Sequence, residues 1–166
     1  MCYEKIKHWV LLSLRGILII AVYFLFLVYT PTMYGFTKSA FQEILSGYQS
    51  RILVFGPSVI KVKVADTVQK RLKGLSDTKE LNDGTGMFFI FEDADTHGIW
   101  MKDMNFSIDI IWFDRFGSIV HIEESVSPDT YPTVFEPEKD ASFVLEVPAG
   151  FVGRSNIKLG DTIDLY

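Results

Sequence analysis

SVIKVKVADTVQKRLKGLSD, residues 58–77, sets the terms for the fold. In its first eight residues Val59, Lys61, Lys63 and Ala65 alternate with Ile60, Val62 and Val64, the period of two that puts one face of a strand in water and the other in a core. Thr67 then opens a segment in which Val68, Leu72 and Leu75 recur at helical spacing, with Gly74 placed to close the helix. Downstream, the turn Asn82-Asp83-Gly84-Thr85-Gly86 leads into a series of short apolar runs: MFFIF (87–91), IWM (99–101), SIDIIWF (107–113), GSIVHIEESV (117–126) and SFVLEVP (142–148). Asp114-Arg115-Phe116-Gly117 reads as a hairpin loop between two of them, and a Gly160-Asp161 turn precedes a last run, TIDLY. Seven short strands with little helix predict a mostly β domain of about 110 residues, a sandwich or a barrel.

Upstream the character changes. Trp9 to Tyr29 reads WVLLSLRGILIIAVYFLFLVY, and 21 residues at about 1.5 Å each would span roughly 31 Å as a helix, close to the hydrocarbon thickness of a bilayer. Arg15 is the one charge in that run, near enough to its start for a long side chain to snorkel toward headgroups. Lys5, Lys7 and Arg15 precede the purely apolar part and the next basic residue is Lys38, so the positive-inside rule keeps residues 1–8 in the cytoplasm and exports the chain beyond Tyr29. A single transmembrane helix over 9–29 is the first reading. A cleaved signal peptide with its apolar region at Gly16–Tyr29 is the second, although small residues at the cleavage positions are hard to find. Residues 30–57 then form a linker, with a short juxtamembrane helix in KSAFQEILSGYQ, where Phe41, Ile44, Leu45 and Tyr48 keep helical spacing. The folded domain is expected over 58–166.

The charge divides along the same line. Residues 1–50 carry four basic side chains against two acidic ones, and the remainder 12 against 19. An acidic body without a basic stripe is a poor binder of polyanions, which excludes nucleic acid as an expected partner. The mean hydropathy of +0.20 likewise owes much to the apolar segment near the start. Cys2 is the only cysteine and precedes the apolar run, so the exported portion has no disulfide, no cysteine nucleophile and no thiolate metal site.

Beyond these general features, VADT (64–67), RLKGLSD (71–77), GMFFIF (86–91), GIWMKDMNFSIDIIWFD (98–114), FVLEVPAG (143–150) and the GD at 160–161 succeed one another in an order that resembles the DUF192 family, small and often exported domains of uncharacterised function. The resemblance runs from about Ser58 to Tyr166 and implies a jelly-roll-like β-sandwich with one or two short helices. It implies no activity. Trp100, Met101, Lys102, Asp109 and Asp114 fall on the centre of the family pattern, whereas Asp103 and Met104 stand where that pattern usually has Asn and Thr.

Candidate chemistry is sparse. Arg71, Trp100, Lys102 and Asp109, with Asp114 nearby in sequence, form a constellation in which an aromatic face and opposed charges could orient a small polar ligand. The ordinary alternative assigns Trp100 to the core, Asp109 to a backbone-bonded structural carboxylate or an Arg71 partner, and Lys102 to a solvated edge. Asp93, Asp95 and His97 in FEDADTHG offer oxygen and imidazole ligands within five residues, without a full calcium-loop pattern. His121 and Glu123 share a strand face but lack the cysteines of a zinc deaminase. Glu123, Glu124 and Glu146 qualify as members of a carboxylate pair by number alone. No metal and no cofactor is implied, and the chain lacks the common nucleophile-elbow, zincin, P-loop and dinucleotide motifs. The sequence therefore leads to a membrane-anchored extracytoplasmic binding or accessory module, partnered by the membrane and by a small polar ligand or an envelope protein. An enzyme acting on a small envelope substrate through the Arg71, Lys102, Asp109 and Asp114 charges is the alternative.

Overall fold

A computed structural model describes residues 47–163. The proposed transmembrane segment, the juxtamembrane helix up to residue 46 and the last three residues lie outside the described residues. Among the described residues no helix is long and apolar enough to cross a membrane.

The described residues form eight strands: β1 (Gln49–Phe55), β2 (Ser58–Ala65), β3 (Thr85–Asp95), β4 (Ile99–Trp100), β5 (Ile108–Phe113), β6 (Ile119–Val126), β7 (Val134–Phe135) and β8 (Ala141–Pro148). Two short helices, α1 (Val68–Lys73) and α2 (Phe151–Ser155), accompany them, together with a 3-10 turn at Pro128–Thr130. β2 matches its expected range, as the clean alternation of its side chains allows. Thr67 caps α1 by accepting the Lys70 N–H, and Gly74, at φ 48°, ends it.

The mostly β expectation holds, but the sheet arrangement differs from a jelly-roll sandwich. Six strands form one mixed sheet in the order β1-β2-β3-β8-β5-β6, and β4 and β7 make a separate two-stranded ribbon. β2 and β3 pair in parallel, with Lys61 opposite Thr85 and Ala65 opposite Phe89. That pairing demands a crossover, and α1 supplies it. The other pairs are antiparallel.

The reason a two-sheet reading fails lies in the central strands. Every residue of β5, IDIIWF, is buried. Ile111 and Phe113 join one core with Phe88, Leu145 and Val147, while Ile108, Ile110 and Trp112 join another with Met87, Phe89 and Val144. The sheet thus carries a core on each face, as a covered mixed sheet does. α2 packs Phe151 and Val152 on the first face. The second core includes Leu75, just beyond α1, together with Ile99 and Phe135 of the ribbon.

The linker boundary also moves. β1 runs through residues 49–55 and forms a hairpin with β2 across a turn at Gly56, φ 53°, so the compact unit starts at Tyr48. β1 escapes a period-two reading because Arg51 and Ile52 are both exposed, and only Leu53 and Phe55 reach the core.

Candidate functional site

A cavity of about 520 Å³ opens on the second face of the sheet, between α1 and the β4-β7 ribbon. Its walls are largely apolar: Val68 and Leu72 from α1, Leu75, Phe89 and Phe91 from β3, Ile99 and Trp100 from β4, Met104 and Val134. Polar side chains are few: Arg71 and Lys73 on α1, Ser76 just after it, Asp93 and His97 at and after the end of β3, and Glu146 on β8. A concave, mostly apolar space with a few placed polar groups is the usual form of a small-ligand site.

Glu146 is the unusual member. It sits in the middle of a central strand, opposite Met87 of β3 and Ile110 of β5, and is 5% exposed. Its Oε2 is buried without a hydrogen-bond partner, and no cation pairs with it among the described residues. Burial in these surroundings pushes the carboxyl up to about 8, because a charge there would lose its water without gaining a counter-charge. At neutral pH the group is therefore a carboxylic acid with a hydroxyl to donate.

Arg71 donates from Nη1 to the Ile90 carbonyl at 2.7 Å, and its guanidinium lies 5.2 Å over the Phe91 ring. The imidazole of His97 stacks on the same ring, 3.6 Å between centroids and 8° between planes. His97 Nε2 faces the Asp93 backbone oxygen at 3.2 Å and Oδ1 at 3.7 Å, and its own carbonyl accepts the Trp112 indole N–H at 2.9 Å. Arg71, Phe91, His97 and the buried Trp112 thus brace one another on one side of the cavity.

Of the residues singled out in the sequence, the structure brings Arg71 and Trp100 to this cavity. Trp100 is 45% exposed at its mouth, edge-on to Tyr131 at 6.0 Å, with Lys102 Nζ 5.8 Å over its ring. The core tryptophan is Trp112 instead, which is fully buried. Asp109 and Asp114 serve the backbone. Fully buried, Asp109 accepts the N–H groups of Ser125 (2.8 Å) and Gly150 (3.0 Å) on Oδ1 and of Val152 (2.9 Å) on Oδ2. It thereby holds the β6 irregularity at Ser125, φ 55°, and satisfies the open N–H groups at the start of α2. Asp114 accepts from Phe116 (2.8 Å) and Ser118 (2.9 Å) and shapes the β5-β6 turn.

The acidic loop turns inward on itself, with Asp95 Oδ1 accepting the Thr96 N–H. No group of three or more His, Cys, Asp or Glu side chains is placed to hold a metal among the described residues. His121 and Glu123 lie 3.1 Å apart on β6, with His121 edge-on to Trp112.

Residues 52–165 match the family model DUF192, described as an uncharacterised ACR family. The chain belongs to the DUF192 family. Among curated relatives of this DUF192 chain, a UPF0127 protein of Thermococcus kodakarensis is 31% identical over 103 residues, 62% of this chain and 63% of that protein. One from Thermococcus sibiricus is 31% identical over 104 residues, 63% and 65% of the two chains. The chain thus spans less than two thirds of the length of the curated relatives it matches. A solved structure from Novosphingobium aromaticivorans, of a protein of unknown function, superposes with a TM-score of 0.68 at 28% identity, covering 72% of this chain and 88% of that one. Another from Sinorhizobium meliloti superposes at 0.66 and 24% identity, covering 70% and 94%, and speaks to the fold alone.

The two departures from the family pattern have a place in the DUF192 fold. Asp103 adopts φ 54°, the left-handed conformation that Asn and Asp tolerate best, and its carbonyl accepts the Asp77 N–H at 2.8 Å. With Ser76 Oγ donating to the Lys102 carbonyl and Asn105 Nδ2 to that of Thr78, this ties the loop after α1 to the loop after β4. Met104 adds an apolar wall to the cavity. Glu146 was the residue that sequence reasoning undervalued. Its signal is local: a lone acid between Leu145 and Val147 in an apolar run belongs to a buried strand, and a buried acid without a nearby basic residue needs a physical reason to be there.

Proposed function

We propose that this chain is a binding module whose domain is held at the outer face of a membrane by residues 9–29 and captures a small, mainly apolar ligand in the cavity floored by Glu146. The tether rests on the length and apolarity of that segment, and the orientation on Lys5, Lys7 and Arg15 at its start. The binding role rests on one observation above the rest, an unpartnered buried carboxyl oxygen lining an apolar cavity of about 520 Å³. A buried polar atom without a partner costs roughly 1–3 kcal/mol, and a ligand bringing an acceptor would remove that deficit. The enzyme alternative is less well supported, since the oxygens of Asp109 and Asp114 are taken up by backbone N–H groups rather than presented to the cavity.

A thermal-shift screen of small apolar compounds tests the binding role. Stabilisation by a subset of them in the wild-type chain, abolished in Met104→Trp where the cavity is filled, is the expected result. A stabilisation that persists in Met104→Trp would place binding elsewhere.

A further inference from the structure

The chemistry of the cavity distinguishes among ligands that share an apolar body. An amine would be the obvious guest for a carboxyl group surrounded by aromatic rings, with the rings offering their faces to the cation. Here the Phe91 and Trp100 rings already have partners. Arg71 lies over Phe91, which also stacks on His97, and Lys102 lies over Trp100. Of the charged groups lining the cavity, Lys73 pairs with Asp77 and Asp93 lies within 3.7 Å of His97, whereas Arg71 on α1 has no carboxylate partner among the described residues. No charged side chain lies directly across from Glu146 on the neighbouring strands, where Met87 of β3 and Ile110 of β5 stand opposite it. Asp109 of β5 pairs with Val147, on the other face of the sheet. An arginine without a carboxylate partner at the wall and a hydroxyl donor at the floor fit an acceptor that carries negative charge.

We propose that the cavity takes a small apolar monocarboxylic acid, bound as its carboxylate, with the Glu146 hydroxyl donating to one ligand oxygen and Arg71 balancing the charge from the wall. This rests on the small-ligand reading above. The hydrogen bond between a carboxylic acid and a carboxylate is charge-assisted and short, and it strengthens in an apolar enclosure. It also requires the proton. Binding therefore holds below the Glu146 titration near 8 and weakens as pH rises through it, by about tenfold at one unit above, as the competent form falls to about a tenth of the population.

Calorimetric titration of the full chain in nanodiscs, with empty nanodiscs subtracted, decides the matter using 3-phenylpropanoate, 3-phenylpropanamide and 3-phenylpropylamine at pH 7 and pH 9. The expected result is propanoate binding at pH 7 at least tenfold tighter than the amine, weakening about tenfold at pH 9. Glu146→Gln keeps a donor and should bind propanoate at both pH values equally. Arg71→Gln should weaken the propanoate more than the amide. Preference for the amine, propanoate affinity unchanged between the two pH values, equal losses of propanoate and amide in Arg71→Gln, or a pH dependence that survives in Glu146→Gln and so belongs to His97, Asp93 or Lys73 would each overturn the proposal. Binding of the amine or amide with propanoate excluded overturns the carboxylate assignment and leaves the small-ligand reading standing. Binding of none of the three overturns both.

Discussion

Two buried carboxyl groups, Asp109 and Glu146, occupy neighbouring strands and live under opposite conditions. Three backbone N–H groups at 2.8–3.0 Å surround Asp109, so both of its oxygens have partners within the protein. Replacing it with alanine orphans all three donors, and chemical denaturation of Asp109→Ala should show a loss of roughly 3 kcal/mol or more. Glu146 has no such shell. Its folded-state value of about 8 lies above the ordinary 4.5, so the folded chain retains a proton that the unfolded chain releases. The stabilising contribution is complete below about 4.5 and is lost as pH rises through 8. At about 1.4 kcal/mol per unit this group costs on the order of 3 kcal/mol at pH 7. Glu146→Gln should therefore be more stable than wild type at pH 7–8, by up to a few kcal/mol, with the difference vanishing toward pH 4.5 in parallel urea titrations. Asp109 was legible in the sequence as a structural carboxylate because its neighbours Ile108, Ile110 and Ile111 are apolar. That its partners are Ser125, Gly150 and Val152 was not, since the last two arrive from 41 and 43 residues away.

At the scale of elements, alternation and turn residues located most strands and α1, because those signals are local. Pairing is not local. That β2 and β3 run parallel depends on where α1 carries the chain, and the two-residue strands β4 and β7 are too short to show any period. α2 is a single turn of FVGRS after Gly150, also below the length at which helical spacing can be read. The seam between β3 and β8 depends on close approach at Gly86: a Cβ there would meet the Glu146 carbonyl oxygen at 2.6 Å and Val147 Cγ1 at 3.2 Å. A backbone oxygen in a central strand cannot move aside. Gly86→Ala should cost roughly 2–4 kcal/mol by denaturation, well beyond an ordinary surface change, and should disturb the cavity floor through the strand that carries Glu146. The more modest Thr67→Ala, which removes the cap of α1, should cost about 1 kcal/mol.

For the whole molecule, the sequence divides an apolar, basic-flanked start from an acidic remainder, and the described fold belongs to the latter. The location proposal is checked by protease protection. In spheroplasts of the expressing cell the domain beyond residue 47 should be digested without permeabilisation; protection until the membrane is opened would contradict export. The cavity was out of reach of any sequence reading, because its walls come from α1, β3, β4, β7, β8 and the loops between them. Arg71 and Trp100 were found for their residue types and proved to share it, whereas the apolar run around Glu146 marks it as a buried acid but does not show that it faces the cavity, which depends on β8 lying between β3 and β5.

The function proposed for that cavity turns on a protonated Glu146. Carbon-13 NMR of the side-chain carboxyls of glutamate-labelled protein, with Glu146 assigned by its absence in Glu146→Gln, tracks this group directly through pH 4–10. A Glu146 resonance that titrates near 8 is predicted, moving higher in the presence of a bound carboxylate. A midpoint in the ordinary glutamate range near 4.5 would mean that the group is ionised at neutral pH, and would contradict the proposal at its root.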